Sequence, residues 1–227
     1  MMTFYAAAGS YRFRNSSGRR LPFIQKLGKL HAVSVPEFLI WSILLWDVLT
    51  YEELKAQYDD TVKNTAERLP DFDEMLGLLV RRKLVLCGKG YTGRDALFSM
   101  VSDAFVIPYC LTFPRKAWRS FRLWLFGRLG IADIFRLIRS GKDSEAETRV
   151  IRLTEQTPLS TAELIRCFER GVYDVSSADK VIAAVYPDDD SVQARIANEE
   201  TWSEYRDTVL QAVSDLYLSR KIILEPV

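Results

Sequence analysis

Polar and apolar residues alternate along Tyr11-Arg12-Phe13-Arg14, which is the period of a half-buried strand. Asn15-Ser16-Ser17-Gly18 follows with turn chemistry. The apolar runs Leu21 to Gln25 and Leu30 to Val35, with Gly28-Lys29 turning between them, predict two further strands, hence a three-stranded antiparallel sheet. The period then changes. Pro36 suits a helix start, and Glu37 to Val48 is apolar nearly all round, including Trp41 and Trp46, so this helix is expected to be buried on most sides. Thr50 with Glu53 three residues on is a capping box for a helix over Tyr51 to Tyr58. Asp71 or Asp73 caps a third helix that runs to Arg82. Lys83 to Cys87 reads as a strand, Gly88-Lys89-Gly90 as a tight turn, and Tyr91-Thr92 as the return strand of a wing.

The pattern then recurs. Leu49-Thr50-Tyr51-Glu52-Glu53-Leu54 is echoed by Leu159-Ser160-Thr161-Ala162-Glu163-Leu164, and Leu78 to Leu86 by Leu216 to Leu224, each passing from an apolar helix through a basic turn into a strand. In the second copy a helix covers Glu145 to Glu155, Thr157-Pro158 ends it, and Ser160 with Glu163 caps the next. A last helix is expected over Trp202 to Ser219 and a closing strand over Lys221 to Leu224. Residues 172–204 read as an insertion in this copy. The expected fold is α+β and mainly helical: tandem winged helix-turn-helix domains at 1–95 and 144–227, the first carrying the N-terminal sheet. A basic aromatic helical connector at 96–143 joins them. Between Cys110 and Lys142 that connector holds eight basic residues and one acid, Asp133. Arg115, Arg119 and Arg122 fall at helical spacing, Gly127 and Gly130 mark a break, and a further helix spans Ile131 to Ile138.

Composition narrows the chemistry. A net charge of +1 gives no global attraction to nucleic acid or anionic membrane, so any such affinity must be local. Three dispersed cysteines, Cys87, Cys110 and Cys167, suit neither a disulfide framework nor a zinc site, which points to a reducing, cytoplasmic setting. The start of the chain lacks the pattern of a secretory signal, and the apolar run from Glu37 to Asp47 is too short for a membrane span. His31 has no nucleophile pattern near it. Asp188 to Asp190 reads as a solvated loop, and Gly88-Lys89-Gly90 lacks the rest of a phosphate-cradling loop. No enzyme, metal or cofactor is expected.

The sequence over residues 11–87 resembles the PqqD-like peptide-recognition domain, or RiPP recognition element, within the winged-helix superfamily. The resemblance rests on the three strands, the helix after Val35-Pro36, Leu49-Thr50-Tyr51-Glu52-Glu53-Leu54, Lys55-Ala56-Gln57-Tyr58-Asp59, and the helix ending Leu78-Leu79-Val80-Arg81-Arg82-Lys83-Leu84-Val85. It implies that a precursor or leader peptide adds a strand beside Leu30, His31, Val33 and Val35 and packs against Phe72, Met75, Leu76 and Leu79 of the third helix. The chain would then be a non-catalytic adaptor that delivers the peptide to a modifying enzyme.

The alternative is a winged-helix transcription regulator, acting as a homodimer. Its phosphate contacts would come from Arg81, Arg82, Lys83, Lys89 and Arg94, with Arg115, Lys116, Arg119 and Arg122 as a second basic group. Against groove insertion, the third helix opens with Asp71, Asp73 and Glu74. A third reading is a scaffold whose modules bind only other proteins.

Overall fold

A computed structural model of the chain describes residues 1–16, 19–63, 70–109, 144–185 and 192–226. The first half contains, in order, β1 (Met2–Ala7), β2 (Ser10–Ser16), β3 (Arg19–Lys26), β4 (Lys29–Ala32), α1 (Val35–Ile43), β5 (Leu49–Thr50), α2 (Tyr51–Val62), α3 (Phe72–Arg81) and β6 (Val85–Gly90). A connecting helix, α4 (Gly93–Val101), leads to β7 (Ala104–Pro108). The second half continues with α5 (Glu145–Gln156), β8 (Leu159–Ser160), α6 (Thr161–Glu169), α7 (Ala178–Val185), α8 (Val192–Leu218) and β9 (Ile222–Pro226). The fold is mixed α/β with three small antiparallel sheets, ordered β5-β1-β6, β2-β3-β4 and β8-β7-β9.

Capping chemistry places the helices where the sequence puts them. Thr50 and Glu53 form a reciprocal capping box at α2, Ser160 and Glu163 form another at α6, and Asp71 caps α3. Ser34 and Glu37 add a third such box ahead of α1. The three antiparallel strands of the N-terminal sheet form as expected, but the second turn is Leu27-Gly28, with φ of 46° and 74°, so Lys29 belongs to β4.

Several expectations are corrected. The first helix stops at Ile43 rather than Val48 because the chain turns through Trp46 at φ 61°, a left-handed conformation that a bulky residue adopts only when its surroundings impose it. Gly88-Lys89-Gly90 is part of strand β6, not a turn. Its glycines serve a close approach: a Cβ at Gly88 would sit 2.2 Å from the Ala96 carbonyl oxygen, and one at Gly90 2.3 Å from the Ala96 nitrogen. Tyr91-Thr92 does not return as a wing. Thr92 caps α4, and the strand beside β6 is β1, from the start of the chain.

Apart from the β2–β3–β4 meander that the first half interposes after β1, the described elements of both halves follow one order: a strand, a helix, a two-residue strand, further helices, and a closing strand, with the first strand central in its sheet. The second half has an additional helix, α7, in the inserted region. The helix-to-strand turns also match. The N–H groups of Lys83 and Leu84 bond the carbonyls of Val80 and Leu79, and those of Arg220 and Lys221 bond Tyr217 and Leu216. Lys83 (φ 52°) therefore corresponds to Arg220 (φ 64°), one residue away from the alignment suggested by the sequence echo.

Two cores hold the molecule together. One joins the N-terminal sheet to the first three helices through Ile24, Trp41, Leu54, Met75 and Leu79. The other crosses between the halves, bringing Ala6, Ala8 and Leu86 together with Val106, Leu216 and Leu224. Polar bonds reinforce this seam. The Gly9 N–H donates to the Leu224 carbonyl at 2.8 Å. The buried Tyr217 hydroxyl accepts from the Trp46 N–H at 3.2 Å and lies 3.1 Å from the carbonyl oxygens of both Ala7 and Leu44. No helix among the described residues is long and apolar enough to cross a membrane.

Candidate functional site

β4 is an edge strand of the N-terminal sheet. The guanidinium of Arg82, just past the end of α3, donates to the Ala32 carbonyl at 2.6 Å and to Glu37 at 3.3 Å. The Ala32 carbonyl therefore points away from β3. Backbone direction alternates along a strand, so the N–H and C=O of Leu30 face outward as well. This edge is four residues long and lies beside the C-terminal end of α3.

The expected site residues separate into groups. Leu30 and His31 are half-buried on β4. Val33 is buried, whereas Val35, at the first turn of α1, is 71% exposed. Phe72, Met75, Leu76 and Leu79 are buried in the core that α3 shares with α1 and α2. The outward face of α3 instead presents Asp73, Glu74, Leu78 and Arg81, and Asp73 accepts a 2.6 Å bond from the Tyr51 hydroxyl. Arg82, of the candidate basic set, is thereby held against the β4 edge.

The remaining basic candidates are dispersed. Arg81 reaches back to the Gly77 carbonyl at 3.4 Å. Lys89 is exposed on β6, and Arg94 is ion-paired with Asp207. Arg115, Lys116, Arg119 and Arg122 lie outside the described residues.

Electrostatics around β4 is positive. The His31 imidazole is pushed below its ordinary range by burial, then by the charges of Lys26, Arg82 and Lys29, so it is neutral at physiological pH. Burial also lowers Lys26, with Lys83 and Lys29 acting in the same direction and Glu225 opposing. Glu225, 5% exposed, accepts from the Leu27 N–H at 2.8 Å. Burial raises its carboxyl above the usual range, against the pull of that bond and of Lys26. The turn beside β4 is thus tied to the last strand of the second half.

The described thiols are poorly suited to nucleophilic work. Burial raises Cys87, and it pushes Cys167 up to about 11, so both are held as thiols at neutral pH. No group of three or more His, Cys, Asp or Glu among the described residues could hold a metal ion.

The sequence pattern alone did not mark out the aromatic cluster on the α1 face of the sheet, at its β2 edge. Tyr11, Phe13, Phe38 and Trp41 meet in edge-on and stacked contacts, with ring centroids 5.4 Å apart for Phe13 and Phe38 and 5.9 Å for Phe38 and Trp41. Their spacing, two alternate strand positions and an i,i+3 helix pair, was the available signal. No family model, no curated protein and no solved structure matches this chain.

Proposed function

We propose that the protein is a non-catalytic adaptor made of two winged-helix-like units, the first of which takes up an extended peptide by strand addition along β4 and presents it to a peptide-modifying enzyme. The observation that carries this reading is the outward-facing backbone of Leu30 beside the C-terminal end of α3. Main-chain bonds to such an edge supply affinity, and neighbouring side chains select the sequence. Val35 on α1 and Leu78 on α3 are exposed apolar side chains that such a peptide could meet, and the exposed Arg81 at the end of α3 favours a peptide with acidic residues. The shared order of elements in the two halves supports the tandem arrangement.

A random-peptide display selection on the full chain tests the proposal, with Leu30→Pro as the deciding variant. The proline removes the outward N–H of Leu30 and spares the bonds between β4 and β3, since prolines are tolerated where an edge strand's nitrogen faces solvent. Peptides selected on the unaltered chain should lose binding to a folded Leu30→Pro protein. Retained binding by that variant sinks the β4 proposal. Binding of duplex DNA with steep salt dependence, lost on Arg81→Glu with Arg82→Glu, would favour the transcription-regulator reading.

A further inference from the structure

The opposite edge of the same sheet is strand β2. Phe13 stands across from Pro22 in the β2–β3 ladder. Proline has no N–H, so the two residues cannot exchange the paired bonds of a hydrogen-bonded position, and the backbone of Phe13 must point away from β3. By alternation the N–H and C=O of Tyr11 and Asn15 point the same way. No strand among the described residues pairs with that side of β2. β2 therefore offers a seven-residue strand whose outer backbone is open, against four residues for β4.

The side chains of β2 sort by chemistry onto its two faces. Tyr11 and Phe13 lie on the α1 side against Phe38, yet remain 38% and 52% exposed. Arg12 and Arg14 project from the other face, where Arg14 sits 6.0 Å from the centre of the Phe23 ring. Residues 10–32 hold six Lys and Arg and no Asp or Glu, although the whole chain carries only +1. Positive charge is thus concentrated on this sheet.

We propose that β2 accepts an extended acidic peptide whose side chains alternate between carboxylate and apolar. The carboxylates pair with Arg12 and Arg14 on one face, and the apolar side chains pack on Tyr11 and Phe13 on the other. Cross-strand pairs of opposite charge and of aromatic with β-branched side chains are the units that stabilise an added strand. A second copy of this chain is a poor occupant, because pairing two β2 edges brings like-charged arginines together. Single-stranded nucleic acid would use the charge and the rings but leave the outward N–H and C=O groups unanswered. This inference is independent of the β4 proposal, because it concerns the other edge.

The test uses the full chain and a fluorescein-labelled synthetic peptide alternating glutamate and valine, followed by anisotropy. Saturable binding is expected, weakened about tenfold or more by Arg12→Glu with Arg14→Glu, and absent for the lysine–valine counterpart. N-methylation of one alternate set of peptide residues should abolish binding, and methylation of the other set should be tolerated, because only one set points its N–H groups at β2. That readout uses the unaltered protein and stands even if the double variant does not fold. Leu30→Pro should leave this binding intact, which separates it from the β4 edge. Equal effects of the two methylation patterns, indifference of a folded Arg12→Glu, Arg14→Glu protein, equal binding of the lysine peptide, or arginine-dependent binding of oligothymidylate in place of the peptide would each overturn the proposal.

Discussion

Removing one oxygen atom should weaken the seam between the halves. Tyr217 on α8 is 2% exposed, and its hydroxyl accepts from the Trp46 N–H while donating to one of two carbonyls in the first half, Ala7 or Leu44. Burial pushes this phenol above its ordinary range, so it is a neutral donor at any working pH. Tyr217→Phe keeps the ring and its packing. It leaves the Trp46 N–H without this partner, and the Ala7 carbonyl without its tyrosine donor. Leu44 retains the N–H groups of Ala7 and Asp47 at 3.2 Å each. A buried polar group left unsatisfied costs about 1–3 kcal/mol, so a loss of about 2 kcal/mol is expected. With a urea m-value of about 2–3 kcal/mol/M, the unfolding midpoint should fall by about 0.7–1 M at unchanged m. Urea unfolding followed by circular dichroism measures this directly. A change below about 0.5 kcal/mol, the range of an ordinary surface substitution, would refute the claim that this hydroxyl couples the halves.

Two further substitutions probe other joints. Gly88→Ala should destabilise by about 2 kcal/mol or more, because its Cβ would press on the Ala96 backbone rather than on a flexible side chain; a thermal melt like that of the parent protein would remove close approach as the reason for the glycine. Glu225→Gln should raise stability at neutral pH and lose that advantage in acid. The folded-state pKa of Glu225 lies above the unfolded one, so its contribution is most favourable at low pH and is lost as pH rises from the ordinary glutamate range through the folded value. Denaturation midpoints of both proteins across that interval provide the check, and a constant difference would contradict the assignment.

Local signals were legible in the sequence. The capping boxes at Thr50 and Ser160, the N-cap at Asp71 and the alternation of Tyr11 to Arg14 each involve residues within a few positions of one another, and each appears in the structure. Long-range pairings were not. Met2 to Ala7 has little alternation, and its partners, β5 and β6, lie beyond α1 and beyond α3. Gly88 and Gly90 look like turn residues because a sequence does not reveal that a helix will pass over them. Trp46 gives no glycine-like warning of its left-handed backbone. At the candidate site, the apolar stripe of α3 was visible, but whether Phe72, Met75, Leu76 and Leu79 faced a groove or the interior depended on where α1 and α2 packed. The alternation that defines β2 was equally visible, while the openness of its outer side followed only from the sheet order.

The placement of each half's first strand at the centre of its sheet has a kinetic consequence. β1 cannot be enclosed until β6 has been made, nor β7 until β9, so both sheets wait on the closure of long loops. The β2–β3–β4 meander needs only short turns, and such hairpins form on the microsecond scale. During refolding its backbone amides should gain protection from solvent exchange ahead of those in β1, making the proposed docking strands among the earliest parts of the chain to take shape.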